Sequence, residues 1–242
     1  IEMAFINSTN TKMLYADQAF ESYLRTVTPS AARDMLEATS LADTSKAYVP
    51  GLLDYSLNLD GMFDDSASAT SVWTAITTPI GASTSVVTSV APSGFAVSKP
   101  VWLIPARTVN YEVQSQVADV VTFSMSIGSS DTASTGVSLA SLTALTATGA
   151  GTSVDNAAAT SNGFVAHIHV TASAGTTPTM TALVQHSANN STWTTLGTFT
   201  AVTGTTSQRI TGTGTVNRYA RISYTIGGTT PSFTTQISLA RL

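Results

Sequence analysis

The sequence contains no cysteine, which removes disulfides, thiolate metal sites and cysteine nucleophiles in one step. Histidine occurs three times, and charged side chains make up only 10% of the 242 residues, against about 25% in an average soluble protein. Long apolar runs are missing too. The best candidate, Val101 to Ile104, is broken by Pro105, and a membrane-spanning helix needs about 20 apolar residues, so no such span is expected. Neither a P-loop nor a G-x-G-x-x-G opening a helix is present, which leaves nucleotide binding without support. No G-x-S-x-G elbow follows a strand pattern.

Threonine stands where charge is missing: the chain has 42, of which 26 follow residue 140. Thr is β-branched, loses little in an extended backbone and offers a hydroxyl to water, so the composition is that of a β-rich protein. Charge is also split unevenly. Residues 1–140 carry 13 acids against 6 bases, a net of −7, whereas residues 141–242 carry only Asp155 against four arginines, a net of +3. The small-residue stretch 146–160 coincides with both shifts and reads as a linker. The expected division is therefore a first unit over 1–142, a linker with the first strand of the next unit over 143–160, and a second unit over 161–242.

Several segments alternate with the period of a strand. Tyr55, Leu57, Leu59 and Gly61 share one face. Val109, Tyr111, Val113 and Val117 form a second such pattern, and Val121, Phe123, Met125 and Ile127 a third, with Asp119 between them as in a hairpin. One helix is expected within 64–78, near 65–77: Asp64 or Asp65 caps it, Val72, Trp73 and Ile76 fall at helical spacing, and Pro79 ends it. In the second unit Phe164, Ala166, Ile168 and Val170 oppose Val165, His167 and His169. Met180, Ala182 and Val184 continue that pattern, and further strands are expected at 195–202, 208–213, 216–226 and 232–239, with SANNS, TGTT, TGTG and GGTTPS as turns. That spacing is typical of a β-sandwich.

Candidate chemistry is sparse. His167 and His169 share a strand face and, with His186, could hold a metal, but no nearby Asp, Glu or Cys completes a set; sheet positions explain them as well. The run Asn58 to Asp65 has part of a calcium-loop pattern, yet the ligand spacing fails after Asp60. A hydrolytic triad would have to draw on a unit with a single acid. Arg218 and Arg221 are an odd number apart on one strand and point to opposite faces, which argues against a nucleic-acid patch. No cofactor is expected, and no catalytic or metal-binding residue is assigned.

Residues 26–65, TVTPSAARDMLEATSLADTSKAYVPGLLDYSLNLDGMFDD, resemble the major tail tube proteins of long, flexible-tailed (siphovirus-type) bacteriophages. The matching positions are Val27 and Pro29, Asp34 and Glu37, Leu41 to Ser45, Tyr48 to Leu52, and Ser56 to Asp64. Residues 101–139, VWLIPARTVNYEVQSQVADVVTFSMSIGSSDTASTGVSL, look like that family's second half-sheet, so the resemblance covers most of 12–139. HSANNSTWTTL and TVNRYARISYTIGG are similar to modules appended to some tail proteins.

The resemblance implies a mainly β protein: a tail-tube-type β-sandwich with one short flanking helix, followed by a second all-β sandwich. It further implies homo-hexameric rings stacked into a tube in the virion, made in the host bacterial cytoplasm. The tube would contact tape measure, tail tip and terminator proteins, and DNA would pass through its lumen without specific binding. Glu37, Asp60 and Glu112 are the candidate lumen acids, since negative charge repels phosphates. Leu41, Asp43, Tyr48 and Pro50 lie in a segment, 41–50, expected to be a long irregular loop between strands; in the family such a loop reaches the next ring. Trp193 and Tyr219 are candidate surface-binding aromatics of the second unit. Two other classes stay open: a secreted or virion-surface carbohydrate-binding β-sandwich, and an enzyme using the histidine pair with a metal.

Overall fold

The computed structural model describes residues 7–66 and 71–242. After a 3-10 turn at Ser8–Asn10, the chain forms β1 (Lys12–Tyr15), β2 (Gln18–Ala19), β3 (Leu24–Glu37), β4 (Tyr48–Met62), α1 (Val72–Thr77), β5 (Val86–Ala91), β6 (Pro100–Gln114), β7 (Thr122–Ser129) and β8 (Ser134–Leu145). It continues with β9 (Gly149–Ala150), β10 (Val154–Asp155), β11 (Phe164–Ser187), β12 (Thr194–Thr198), β13 (Thr206–Gly212) and β14 (Tyr219–Arg241). The protein is mainly β, and every strand pairing is antiparallel. Among the described residues no helix is long and apolar enough to cross a membrane.

The strands belong to one hydrogen-bonded network whose main path runs β12-β11-β14-β8-β6-β5-β1-β2, with β3, β4 and β7 branching from β6. Strand β6 makes the branch possible by its length. Its first part pairs with β5 and β8, and Ala106 to Gln114 pair with β7. The order β3-β4-β7-β6 therefore makes a four-stranded sheet. Its apolar face, including Leu57, Leu59, Phe123, Met125 and Ile127, packs on Met13, Tyr15, Val90 and the α1 residues Val72 and Ile76. A second core is built from Ile168, Val184, Ile222, Phe233 and Ile237 of β11 and β14. A smaller cluster, with Leu14, Phe95, Leu103, Val165 and Ala240, lies between residues of the two.

Several expectations need correction. The helix starts at Val72, and its N-cap is Ser71, whose Oγ accepts from Thr74 N at 3.2 Å; Asp64 and Asp65 precede it without capping it, and residues 67–70 of the expected helix lie outside the described residues. Trp73 is exposed, with its ring edge-on to Phe63. Val109 falls at an irregularity in the β6–β7 register and Val117 beyond the end of β6, so both are exposed.

The largest difference lies in the second half. The sequence suggests a turn at GGTTPS, but β14 runs through it as one long strand paired with the equally long β11. Gly175-Thr176-Thr177-Pro178 in β11 is repeated as Gly228-Thr229-Thr230-Pro231 in β14, and Thr176 pairs with Thr229. Both glycines adopt positive φ, 113° and 109°, as do Thr177 and Thr230 at 47°. The two strands bend together at matched bulges, so residues that usually make a turn make a shared kink instead.

Candidate assembly surface

The four-stranded sheet has one apolar and one polar face, because side chains alternate along each strand. Cross-strand rows on the polar face are Thr26–Asp60–Ser124–Glu112, Thr28–Asn58–Ser126–Asn110 and Ser30–Ser56–Gly128–Arg107. Asp60 and Glu112 flank Ser124 in one row, both exposed. The face is otherwise small and polar, tied by Ser126 Oγ donating to Asn58 Oδ1 at 2.8 Å and Asn110 Nδ2 donating to Glu112 Oε1 at 2.8 Å. Glu37 does not join this row. It lies at the far end of β3, where Lys46 Nζ is 3.2 Å away and Thr39 Oγ1 donates at 3.0 Å.

Both lateral edges of this sheet are open among the described residues. β3 pairs only with β4, and Arg107 to Gln114 of β6 pair only with β7. An unpaired strand edge of this length presents a row of backbone donors and acceptors to another chain.

Beyond the core, β3 and β4 continue as a two-stranded arm. Residues 31–54 of the arm are almost wholly exposed, including Met35, Leu36, Leu41, Tyr48, Val49, Leu52 and Leu53. Tyr48 and Pro50, expected in the loop, belong to β4; the irregular segment is only 38–47. Leu41 and Asp43 lie at its tip. The tip is ordered by its own polar groups: Ala38 N donates to Ala47 O at 2.8 Å, Ala47 N to Thr39 Oγ1 at 3.1 Å and Ser40 N to Asp43 Oδ2 at 2.7 Å. These donors from Ser40 lower the Asp43 carboxyl below its ordinary range. A two-stranded ribbon is marginal alone in water, and this one carries unburied apolar side chains.

The histidine pair is fully buried between β11 and the β1–β2 and β5 region. Ser89 Oγ lies 3.2 Å from His167 Nδ1 and 2.8 Å from His169 Nε2, while His169 Nδ1 is 2.6 Å from Ala16 O. A carbonyl only accepts, so His169 carries its proton on Nδ1. Its Nε2 then accepts from the Ser89 hydroxyl, and Ser89 accepts from His167 Nδ1–H. That order leaves the lone pair of His167 Nε2 without a partner. Burial holds both imidazoles neutral, His169 down to about 4 and His167 well below 6.5. His186 is elsewhere and accepts from Asn217 N at 3.1 Å. Among the described residues no group of three His, Cys, Asp or Glu could hold a metal.

Trp193 and Tyr219 lie outside the core clusters, half-buried. The Arg221 guanidinium stacks 4.1 Å from the Trp193 ring centre, with its Nε donating to Gln185 Oε1 at 3.0 Å. Arg218 lies over Tyr219 at 5.0 Å and binds Asp155 through two bonds of 2.7 and 2.6 Å. The Arg218 bonds bring Asp155 down to about 2. Residue type picked out the two aromatics but not the arginines stacked on them.

No protein-family model matches the sequence, and no curated protein matches it. Solved structures similar to this chain include one from the virion of a native gene transfer agent particle, at 12% identity and TM-score 0.44, covering 54% of this chain and 98% of that one. The SPP1 tail tube protein is similar at 10% identity and TM-score 0.41, covering 52% and 76%. The SPP1 Dit protein, described as a hub of the adsorption apparatus in phages that infect Gram-positive hosts, is similar at 13% identity and TM-score 0.39, covering 95% and 98%.

Proposed function

We propose that this chain is a structural subunit of a phage tail, a non-enzymatic protein whose copies join into hexameric rings that stack as a tube for DNA passage into the host. One observation carries the reading: a four-stranded sheet with two open edges, an apolar face buried in its own core and a small polar face bearing Asp60 and Glu112. Pairing the β3 edge of one copy with the β6 edge of the next is a head-to-tail contact, and such contacts close into rings. The closed sheet turns its polar face inward, where carboxylates and small hydroxyls give DNA phosphates nothing to grip. The six-fold number comes from the sequence resemblance to major tail tube proteins.

The distribution of apolar surface supports the same division of labour. Among the described residues, all the large hydrophobic side chains left exposed fall between Met35 and Val120. In this reading residues 1–142 build the tube and residues 161–242 lie outside it, in a virion whose other tail proteins cap and nucleate the tube. Negative-stain electron microscopy of the concentrated chain tests it. Rings or tubes with a central hole are expected; particles that stay single at every concentration, with a tail-tip nucleus supplied, would refute it.

A second reading, a carbohydrate-binding module, is favoured by the Trp193–Arg221–Gln185 and Tyr219–Arg218 groups on the surface of the second half. Aromatic faces beside planar donors suit sugar rings. A glycan array separates the readings: signal lost in Trp193→Ala supports binding, and an empty array removes it.

A further inference from the structure

We infer that the hollow between the amino-terminal turn and the base of β3 is the receptor for the arm tip of a second copy, with Arg25 receiving Asp43 and the apolar wall receiving Leu41. The inference rests on the assembly reading above and names the contact that would join one ring to the next.

The hollow has an open volume of about 500 Å³ and is lined by Lys12, Met13, Glu21, Leu24, Arg25 and Val27 together with the hydroxyls of Ser8, Thr9, Thr11 and Thr26. Met13 is buried at its floor, and Leu24 and Val27 are half-buried. Lys12 is already neutralised by Glu21 at 3.0 Å. Arg25 is exposed and forms no ion pair among the described residues. It borders a second, smaller hollow with Asp60 but makes no ion pair with it. The hollow thus offers one uncommitted cation beside an apolar wall.

The arm tip offers the complement. Leu41 is fully exposed, with no neighbour in its own chain to cover it. Asp43 accepts from Ser40 N through Oδ2 and makes no ion pair among the described residues. The backbone and side-chain donors of Ser40 lower its carboxyl, which stays charged at neutral pH. Glu37, the other acid near the tip, is paired with Lys46, so Asp43 is the acid that remains uncommitted.

Position makes the match directional. Arg25 and the arm tip lie at opposite ends of β3, whose fourteen residues rise about 3.3 Å each, roughly 45 Å in all. A copy cannot fill its own hollow. A second copy displaced by about that length along the strands brings its Leu41 and Asp43 to the hollow of the first, and the relation repeats without closing on itself. The same vector applied to every subunit of a ring stacks rings.

Charge exchange in the full-length chain tests this, with rings and stacks counted separately by electron microscopy. Arg25→Glu and Asp43→Arg should each leave rings intact and shorten tubes at least tenfold, and the double variant should restore tube length. Because the chain has no cysteine, Arg25→Cys with Asp43→Cys should also give bismaleimide-linked ladders of chains. Single variants with tubes of normal length, or a double variant that stays as short as its parents, would overturn the inference while leaving ring formation in place. A wild-type chain that never forms rings would overturn the assembly reading and this contact together.

Discussion

The buried Ser89–His167–His169 chain predicts a steep loss of stability on mild acidification. Every donor in it is assigned: His167 Nδ1–H to Ser89, the Ser89 hydroxyl to His169 Nε2, and His169 Nδ1–H to Ala16 O. A proton arriving at His169 Nε2 meets a donor where it needs an acceptor. Ser89 would have to turn its hydroxyl toward His167, whose proton must then move to Nε2, a buried atom with no partner. The charged groups acting on the pair oppose one another in sign. Asp17 in the β1–β2 turn favours charge on His169, whereas Arg209 of β13 and His169 itself disfavour it on His167. From β14, the cross-strand neighbours are the neutral Gln236 and Ser238.

The sign follows from linkage. A histidine whose pKa is lower folded than unfolded binds fewer protons in the native state, so stability falls as pH drops below 6.5 and stops falling near the folded value, about 4 for His169. At about 1.4 kcal/mol per tenfold in proton affinity, His169 alone contributes about 3 kcal/mol over that window. That is a large share of the ~5–15 kcal/mol of an ordinary domain. Urea unfolding from pH 7 to pH 4 reads it, with His169→Gln as the non-titrating reference. The wild type should lose about 3 kcal/mol more than the variant across the window. Parallel curves for the two proteins would refute the reasoning, since carboxylates contribute equally to both.

Two further perturbations follow from the geometry. A Cβ on Gly175 would lie 2.7 Å from Thr230 O, and one on Gly228 2.7 Å from Thr177 O, both at positive φ; alanine at either should cost about 1–3 kcal/mol, whereas Gly204→Ala, with nothing within 4 Å, should leave the thermal midpoint unchanged. Asp60→Lys with Glu112→Lys keeps the fold, because both side chains are exposed on the polar face; assembled rings should then retain DNA in a gel shift that weakens steeply with salt, and retention equal to wild type would remove these residues from the lumen.

How much of this was legible in the sequence depends on whether each strand has one wet face. Leu57 and Leu59 in β4 and Phe123, Met125 and Ile127 in β7 alternate with Ser and Asn because one side is core and the other solvent. Periodicity therefore found both strands and placed Asp60 outward. It did not find the burial of His167 and His169: they alternate with Ala166, Ile168 and Val170 as residues on a wet face would, yet this part of β11 is covered on both faces. It also broke β14 too early at GGTTPS, since Gly, Thr and Pro are turn residues wherever a strand is free to reverse. The signal available was the twin G-T-T-P. Two identical turn-like motifs paired in register suggest a shared bend rather than two reversals. The helix start failed more simply: Asp64 and Ser71 are both competent caps, and local preference does not choose between them.

The same uneven charge separates the two contacts by their response to salt. In the proposed ring, closing the sheet between neighbours would bring Asp60 and Glu112, which share one row of the polar face, together with those of successive copies, so ring closure would work against repulsion. The Debye length shrinks from about 30 Å at 0.01 M to about 10 Å at 0.1 M, and added salt should therefore promote rings. The inferred Arg25–Asp43 contact would join opposite charges at an exposed site, and the same salt should weaken it. Light scattering should then show ring formation rising with salt while mean tube length falls, and Asp60→Asn with Glu112→Asn should flatten only the first of these responses. A common salt dependence for both would mean that one contact, not two, governs assembly.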